Sequence, residues 1–256
     1  MESQMLAGKV AIVTGASYGM GLAIAELFAE EGASVVLTAR GQEKLDTAVN
    51  AIKAKGHKAM GVVADAGSTE DTKKVFATTI SQFGDLDILI NNAGLGDQTP
   101  VDETEDELLQ NIMNVNFGGP FRYIREALTI FLPKNDGVIV NITSVGGLRP
   151  VFGASYVSSK GALNTLTKNV AVRLEGTNIR CNAVAPGATL TPMHYAHLEG
   201  KHPGGAKMME FGGKYCNWNL PETDPIDQAY ACLYLASKMG RRVQGQVIQV
   251  CGGAFM

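Results

Sequence analysis

A doubly wound parallel α/β sheet, with helices on both faces, is the fold this sequence predicts, and three observations predict it. Short apolar runs recur at VAIVTG (10–15), SVVLTA (34–39), KAMGVVAD (58–65), LDILINN (86–92), GVIVNITS (137–144), IRCNAVAP (179–186) and QVIQVCGG (246–253). Each is rich in Val and Ile and bounded by Gly, Asp, Asn or Pro, as strands are. Between them lie longer stretches with helical spacing, such as SSKGALNTLTKNVAVRLEG, where Leu163, Leu166, Val170 and Leu174 share a face. Finally, strands that are apolar at nearly every residue need cover on both faces, and a parallel neighbour is reached through a right-handed crossover.

The 256 residues, 45% of them hydrophobic, are enough for one large core, and no linker, repeat or low-complexity run divides them. One domain over 1–256 is expected. A net charge of -3 with scattered Lys and Arg gives no footprint for nucleic acid. No apolar stretch approaches the roughly 20 residues that cross a bilayer, and MESQMLAGKVAIV lacks the order of a signal peptide. A soluble, cytoplasmic protein without a membrane partner is expected. Cys181, Cys216, Cys232 and Cys251 form no C-x-x-C pair and read as reduced structural residues.

The first strand runs directly into TGASYGMG and then a helix. Gly15, Gly19 and Gly21 let the backbone approach a pyrophosphate, and a new helix points free N–H groups at that anion. This places a dinucleotide beyond the carboxyl ends of the strands, in Rossmann-like fashion. The second strand ends in VVLTAR, with Thr38 and Ala39 where an acid would read a free ribose hydroxyl, and Arg40 next. A guanidinium can fork onto a 2′-phosphate, so NADP(H) is favoured and NAD(H) is the alternative. In the second reading, Arg40 is only a solvated residue at a helix start.

The fourth run stops in NNAG (91–94), two amides and two small residues. A turn explains the stop but not the choice of amides. In NVNFGGPF, Pro120 cannot donate to the carbonyl four residues earlier, that of Asn116. The freed carbonyl can hold an ordered water, unless packing alone absorbs the kink. The fifth run ends at Ser144, on the face where a substrate would lie. In SYVSSKGAL the spacing of four puts Tyr156 and Lys160 on one helix face. Free tyrosine ionises near pH 10, so acid/base work near neutrality calls for a cation, which Lys160 can supply.

Taken in order, the turn at 14–21, NNAG, Asn116, Ser144, Tyr156 with Lys160, and PGATLT at 186–191 resemble the short-chain dehydrogenase/reductase family over essentially the whole chain. The resemblance implies that Tyr156 is the general acid/base, that Lys160 binds the nicotinamide ribose and lowers the Tyr pKa, and that Ser144 hydrogen-bonds the substrate oxygen. It implies that Asn116 holds a water of the proton relay, that Asp65 meets the adenine and Thr191 the carboxamide, and that small Ala93 and Gly94 leave room beside the adenosine ribose. Gly15, Ser17, Tyr18, Gly19, Met20 and Gly21 would cradle the cofactor, with Arg40, Ala66, Asn92 and Gly94 along one side. Pro186, Gly187 and Thr189 would line it near the nicotinamide. A homotetramer or homodimer is implied as well. Two residues depart from the pattern: Tyr18 stands where NADP-dependent relatives often carry a cation, and Cys251 where they usually carry Asp.

The segment 186–221 reads as one long irregular loop, carrying HPGG and FGGK, ahead of a last helix near 225–238. His194, His197 and His202 within it raise a metal site. No carboxylate or thiolate stands at ligand spacing and the segment does not read as helical, so a polar loop and no metal are expected. Met193, Tyr195, Met208, Met209, Phe211, Tyr215 and Trp218 suit a lid over a bulky apolar alcohol or ketone, as in a hydroxysteroid dehydrogenase acting on a steroid or bile acid. They equally suit packing on the core or on another subunit. A 3-oxoacyl thioester and a sugar-like polyol remain alternatives. A dinucleotide-binding module without turnover is another, although a pure binder has no need of Ser144, Tyr156 and Lys160 together.

Overall fold

The computed structural model describes residues 4–256, so the first three residues of the amino-terminal segment lie outside it. The seven apolar runs form β1 (Val10–Thr14), β2 (Ser34–Ala39), β3 (Ala59–Val63), β4 (Ile88–Asn91), β5 (Gly137–Ile142), β6 (Ile179–Pro186) and β7 (Val247–Val250). All pair in parallel, in the order β3-β2-β1-β4-β5-β6-β7. The order reverses between β1 and β4, which opens a crevice at their carboxyl ends.

Alternation along each strand feeds two cores. Ala11 and Val13 of β1, Val35 and Leu37 of β2, and Ile88 and Ile90 of β4 face α1 (Gly19–Glu30), α2 (Gln42–Ala54) and α9 (Pro225–Ala236). Val10, Ile12, Val36 and Leu89 face α3 (Thr69–Phe83), α5 (Gly119–Lys134) and α6 (Ala154–Arg173). Both faces of the sheet are thus dry, which explains why its strands lack the apolar/polar alternation of a half-exposed sheet. Cys181 and Cys232 are buried in these cores, and all four cysteines are free thiols.

Helix ends follow local chemistry. Ser68 caps α3 by accepting the Asp71 N–H, and Gly84 closes it at φ 80. Asp224 and Asp227 form a capping box around Pro225 at the start of α9. Between α4 (Asp106–Met113) and α5 the chain makes a π-turn over Asn114–Gly118, with the Gly119 N–H reaching back to the Asn114 carbonyl. Pro120 falls just past this slip, so the interruption expected from NVNFGGPF is a one-residue change of helical register.

Two expectations are corrected. The segment 186–221 is not one irregular loop: Thr191 caps α7 (Pro192–Leu198) by accepting the His194 N–H, and α8 (Lys207–Gly212) follows. His194 and His197 therefore sit on a helix, started by Pro192, which the glycine and proline content around it obscures. The last strand is also shorter than its apolar run, because Gly252 and Gly253 turn the chain at φ 58 and 88. Among the described residues no helix is long and apolar enough to cross a membrane.

Candidate active site

The turn after β1 is built from main chain. Gly15 and Gly19 adopt φ 63 and 61, the left-handed region that favours glycine. A Cβ on Gly15 would lie 2.8 Å from the Ala93 Cα, and one on Gly21 would lie 2.4 Å from the Asn92 Nδ2. Those close approaches explain the amides of NNAG. Asn92 Nδ2 donates to the carbonyls of Thr14 (2.9 Å) and Gly15 (3.0 Å), while the Thr14 Oγ1 accepts the N–H groups of Asn92 (2.9 Å) and Ala93 (3.0 Å). Asn91 works toward the other side: its Nδ2 donates to Asn141 Oδ1 (2.8 Å), whose Nδ2 donates to Thr167 Oγ1 (2.9 Å). One amide fixes the glycine turn to β4, and its neighbour ties β4 to β5 and α6.

The cleft above this turn, about 270 Å³, is lined by Gly15, Ser17, Tyr18, Gly19, Met20, Arg40, Asp65, Ala66, Asn92, Gly94 and Thr191, all anticipated from the sequence. Gly21 lies behind its wall, against Asn92. Lys44 lines the cleft too and was not anticipated; its Nζ stands 5.6 Å over the Tyr18 ring. A cation four residues beyond Arg40, in the first turn of a helix, was the signal that could have found it.

A second cleft of about 110 Å³ adjoins the first, with Met20, Thr191 and Met193 common to both walls. Ser144, Tyr156, Pro186, Gly187 and Thr189 line it. Ser144 ends the chain's run out of β5 by capping a 3-10 turn over Val145–Gly147, its Oγ accepting the Gly146 N–H at 3.0 Å. Tyr156 and Lys160 follow on one face of α6. Burial raises the Tyr156 pKa, and the Ser144 hydroxyl pulls the other way. Lys160 is almost wholly buried and its pKa falls to about 8, because burial disfavours the ammonium. Its Nζ donates to the Ile142 carbonyl at 3.0 Å and lies 5.9 Å from the Tyr156 ring centroid. In this geometry burial is the larger of the two influences on the phenol.

Asn116 and Lys160 stand behind the clefts, next to Gly94, where a Cβ would come within 3.4 Å of Asn116 Oδ1 and Lys160 Nζ. Asn116 Oδ1 accepts the Leu95 N–H (2.8 Å), and its Nδ2 donates to the Leu95 carbonyl (3.0 Å) and to Ser159 Oγ (3.1 Å). Ser159 Oγ in turn donates to the Tyr156 carbonyl at 2.7 Å. The π-turn thus links the NNAG loop to the helix that carries the tyrosine and the lysine.

Of the expected lid residues only Met193 and Trp218 line the second cleft; Tyr195, Phe211 and Tyr215 are exposed. Other parts of the wall were not anticipated: Gln98, Phe152 and Phe255 come from three separate segments, and His197, noted in the sequence only as part of a histidine cluster, joins them. Each histidine of the cluster has its own partner. His194 Nε2 meets Glu222 at 2.7 Å, His197 Nδ1 meets the Gln98 amide at 3.0 Å, and His202 Nε2 meets the Met193 carbonyl at 3.0 Å. Among the described residues, no group of three or more His, Cys, Asp or Glu side chains is arranged to hold a metal ion.

Comparison with known proteins gives a consistent answer. Residues 9–201 match the family model described as short chain dehydrogenase. The chain is 34% identical to a 3beta-hydroxysteroid dehydrogenase of Mediterraneibacter gnavus, over 96% of this chain and 94% of that one. Among solved structures it is similar to a variant of actinorhodin polyketide ketoreductase with NADPH, at TM-score 0.88 and 31% identity, with 99% of each chain covered. It is also similar to a 3-ketoacyl-(acyl-carrier-protein) reductase from Brucella melitensis complexed with NADH, at TM-score 0.85 and 30% identity, covering 98% of this chain and 100% of that one.

Proposed function

The chain belongs to the short-chain dehydrogenase family, and from that premise we propose that it interconverts a secondary alcohol and a ketone on a bulky, apolar, ring-bearing molecule, with NADP(H) favoured over NAD(H). The observation that carries the reading is the meeting of the two clefts, with Ser144 and Tyr156 in the wall of the second and Lys160 buried behind them. The first cleft fits a dinucleotide because its turn leaves no room for a Cβ where a pyrophosphate would approach. A nicotinamide bound there would supply or accept the hydride.

The chain's own residues do the rest. Tyr156, kept protonated by burial, gives its proton to the carbonyl oxygen during reduction, and the Ser144 hydroxyl hydrogen-bonds the same oxygen. Lys160 would hold the ribose end of the cofactor, and the Asn116 carbonyl at the π-turn would anchor the water that returns a proton to Tyr156. Arg40 and Lys44, both in the wall of the first cleft, would meet the 2′-phosphate. The aromatic wall of Phe152, Trp218 and Phe255 favours a ring over the alternatives, a 3-oxoacyl thioester or a polyol. A homo-oligomer fits the exposed Phe121, Val172 and Tyr230, apolar side chains on three helices.

The test is a panel of ring ketones, 3-oxoacyl thioesters and polyols, each assayed with NADPH and NADH by the loss or gain of reduced-nicotinamide absorbance. Turnover of ring ketones with NADPH is expected. If cofactor binds and no member of the panel turns over, the non-catalytic dinucleotide-binding module becomes the better reading.

A further inference from the structure

The end of the second cleft formed by Gln98 and His197 is polar in a way that proton and hydride transfer do not use. Gln98 lines the cleft at 2% exposure, with one end of its amide 3.0 Å from His197 Nδ1 and its Oε1 buried without a partner. A buried amide oxygen without a hydrogen bond is costly, so its presence in a cleft wall calls for a donor brought from outside. His197 stacks edge-on against Phe152 (5.5 Å between centroids), and Phe152 stacks edge-on against Tyr156 (6.0 Å). A single phenyl ring therefore separates the imidazole from the phenol.

Charge narrows the ligand. No Lys or Arg lines this cleft, and its one carboxylate, Asp97, keeps Oδ2 buried without a partner. Burial and the neighbouring His202 and His194 push the His197 pKa down to about 4, leaving a neutral ring with one N–H and one lone pair. An anionic group would find no Lys or Arg there and would face the Asp97 carboxylate. The space within the cleft, about 110 Å³, is close to the ~150 Å³ of a cavity that takes up benzene, which is the scale of one ring.

We propose that Gln98 and His197 form a subsite for a neutral hydroxyl carried by the substrate on the same ring system as the reacting carbonyl, and that this pair determines specificity for hydroxylated ring ketones. The proposal rests on the ketone-reducing reading of the cleft and adds the substrate's second polar group.

The experiment uses matched probes: cyclohexanones and decalones bearing, at the ring position farthest from the carbonyl, a hydroxyl, a methyl or a carboxylate. Wild-type enzyme should turn over the hydroxyl members of at least one series with kcat/KM roughly tenfold or more above the methyl members, chiefly through KM, and should discriminate against the carboxylates. That ratio should fall to near one in Gln98→Leu and His197→Phe, and His197→Asn, which keeps a neutral hydrogen-bonding group, should restore part of it. Equal kcat/KM for hydroxyl and methyl probes in wild type, or a ratio that survives both substitutions, overturns the proposal. Trp218, the single tryptophan, lines the cleft, so its fluorescence reports occupancy apart from turnover. Should no ketone be reduced, the functional reading fails while the subsite is still decided: tighter quenching by the hydroxyl probe supports it, and equal quenching by the methyl probe sinks it.

Discussion

In the first cleft the wall is main chain: Gly15 and Gly19 at positive φ, Gly21 packed on Asn92, carbonyls held by the Asn92 amide and N–H groups held by the Thr14 hydroxyl. In the second it is side chains from distant segments, with Gln98 after β4, Phe152 ahead of α6, His197 in α7, and Trp218 and Phe255 toward the carboxyl end. A wall of backbone tolerates few substitutions, because a Cβ on Gly15 or Gly21 collides with neighbouring backbone and one on Gly19 would sit at a left-handed φ. A wall of side chains can be rebuilt one residue at a time without disturbing the sheet. The first suits a ligand that never changes, and the second suits a ligand that differs from one enzyme to the next.

The strongest way to break the comparison is to remove the hydroxyl proposed as the proton donor of the second cleft, that of Tyr156. Tyr156→Phe should lower kcat by about a thousandfold, while the NADPH dissociation constant, which depends mainly on the first cleft, changes by roughly twofold or less. Steady-state rates and a fluorescence titration measure the two separately. Turnover within about tenfold of wild type would place the acid elsewhere.

Gly15→Ala attacks the main-chain wall itself. The new Cβ would sit at φ 63 and 2.8 Å from the Ala93 Cα, combining left-handed strain with overpacking, so a loss of about 3 kcal/mol in stability is expected. Cofactor affinity should fall with it. Phe211→Ser and Tyr215→Ser, exposed in the segment over the second cleft, should each stay within about 0.5 kcal/mol of wild type. Urea denaturation compares them, and a Gly15→Ala variant of wild-type stability would show that the turn can relax.

Lys160 sits behind the clefts, and its burial makes a prediction about pH. Its folded pKa of about 8 lies below the ordinary value of 10.5, so between those limits the unfolded chain holds a proton that the folded chain has released. Stability therefore rises with pH through that window, and the cost of burying the ammonium is fully present below it. Lys160→Met in the cofactor-free protein should remove a cost of about 3 kcal/mol and lose a hydrogen bond worth about 1. The expected outcome is a variant more stable by about 2 kcal/mol near neutrality, with the advantage gone by about pH 10.5, and inactive throughout. A loss of stability near pH 7 would mean that the bond to Ile142 outweighs the burial.

The same contrast decides what could be read from the sequence. The sheet, the glycine turn and the Tyr156–Lys160 pair are legible because each depends on spacing within one element or one turn. NNAG shows the limit: its position at a strand end was legible, but the division of labour between Asn91 and Asn92 depends on Asn141, Thr167 and Thr14, which only the strand order brings near. Further out, α7 was read as loop because glycines and prolines surround it, although Thr191 and Pro192 spell a helix start. The aromatic and amide wall of the second cleft was invisible, since no local pattern relates Gln98, Phe152, His197 and Phe255.

The mildest test concerns cofactor choice at the outer end of the first cleft, where side chains again take over from main chain. Arg40 and Lys44 both line that end, and a charge-assisted contact to a phosphate is worth about 1.5 to 3 kcal/mol where geometry is good, less where water competes. Arg40→Ala should therefore weaken NADP(H) binding by about tenfold or somewhat more and leave NAD(H) nearly unchanged. Ala39→Asp should shift preference further, because it repels the phosphate and offers a partner to a free ribose hydroxyl. Lys44→Ala should cost NADP(H) only about threefold, since its ammonium is a single point charge already resting over Tyr18. Titrating both cofactors against the three variants orders these effects. Equal losses for NADPH and NADH in Arg40→Ala would make Arg40 a surface residue, and a larger loss in Lys44→Ala than in Arg40→Ala would make Lys44 the principal phosphate reader.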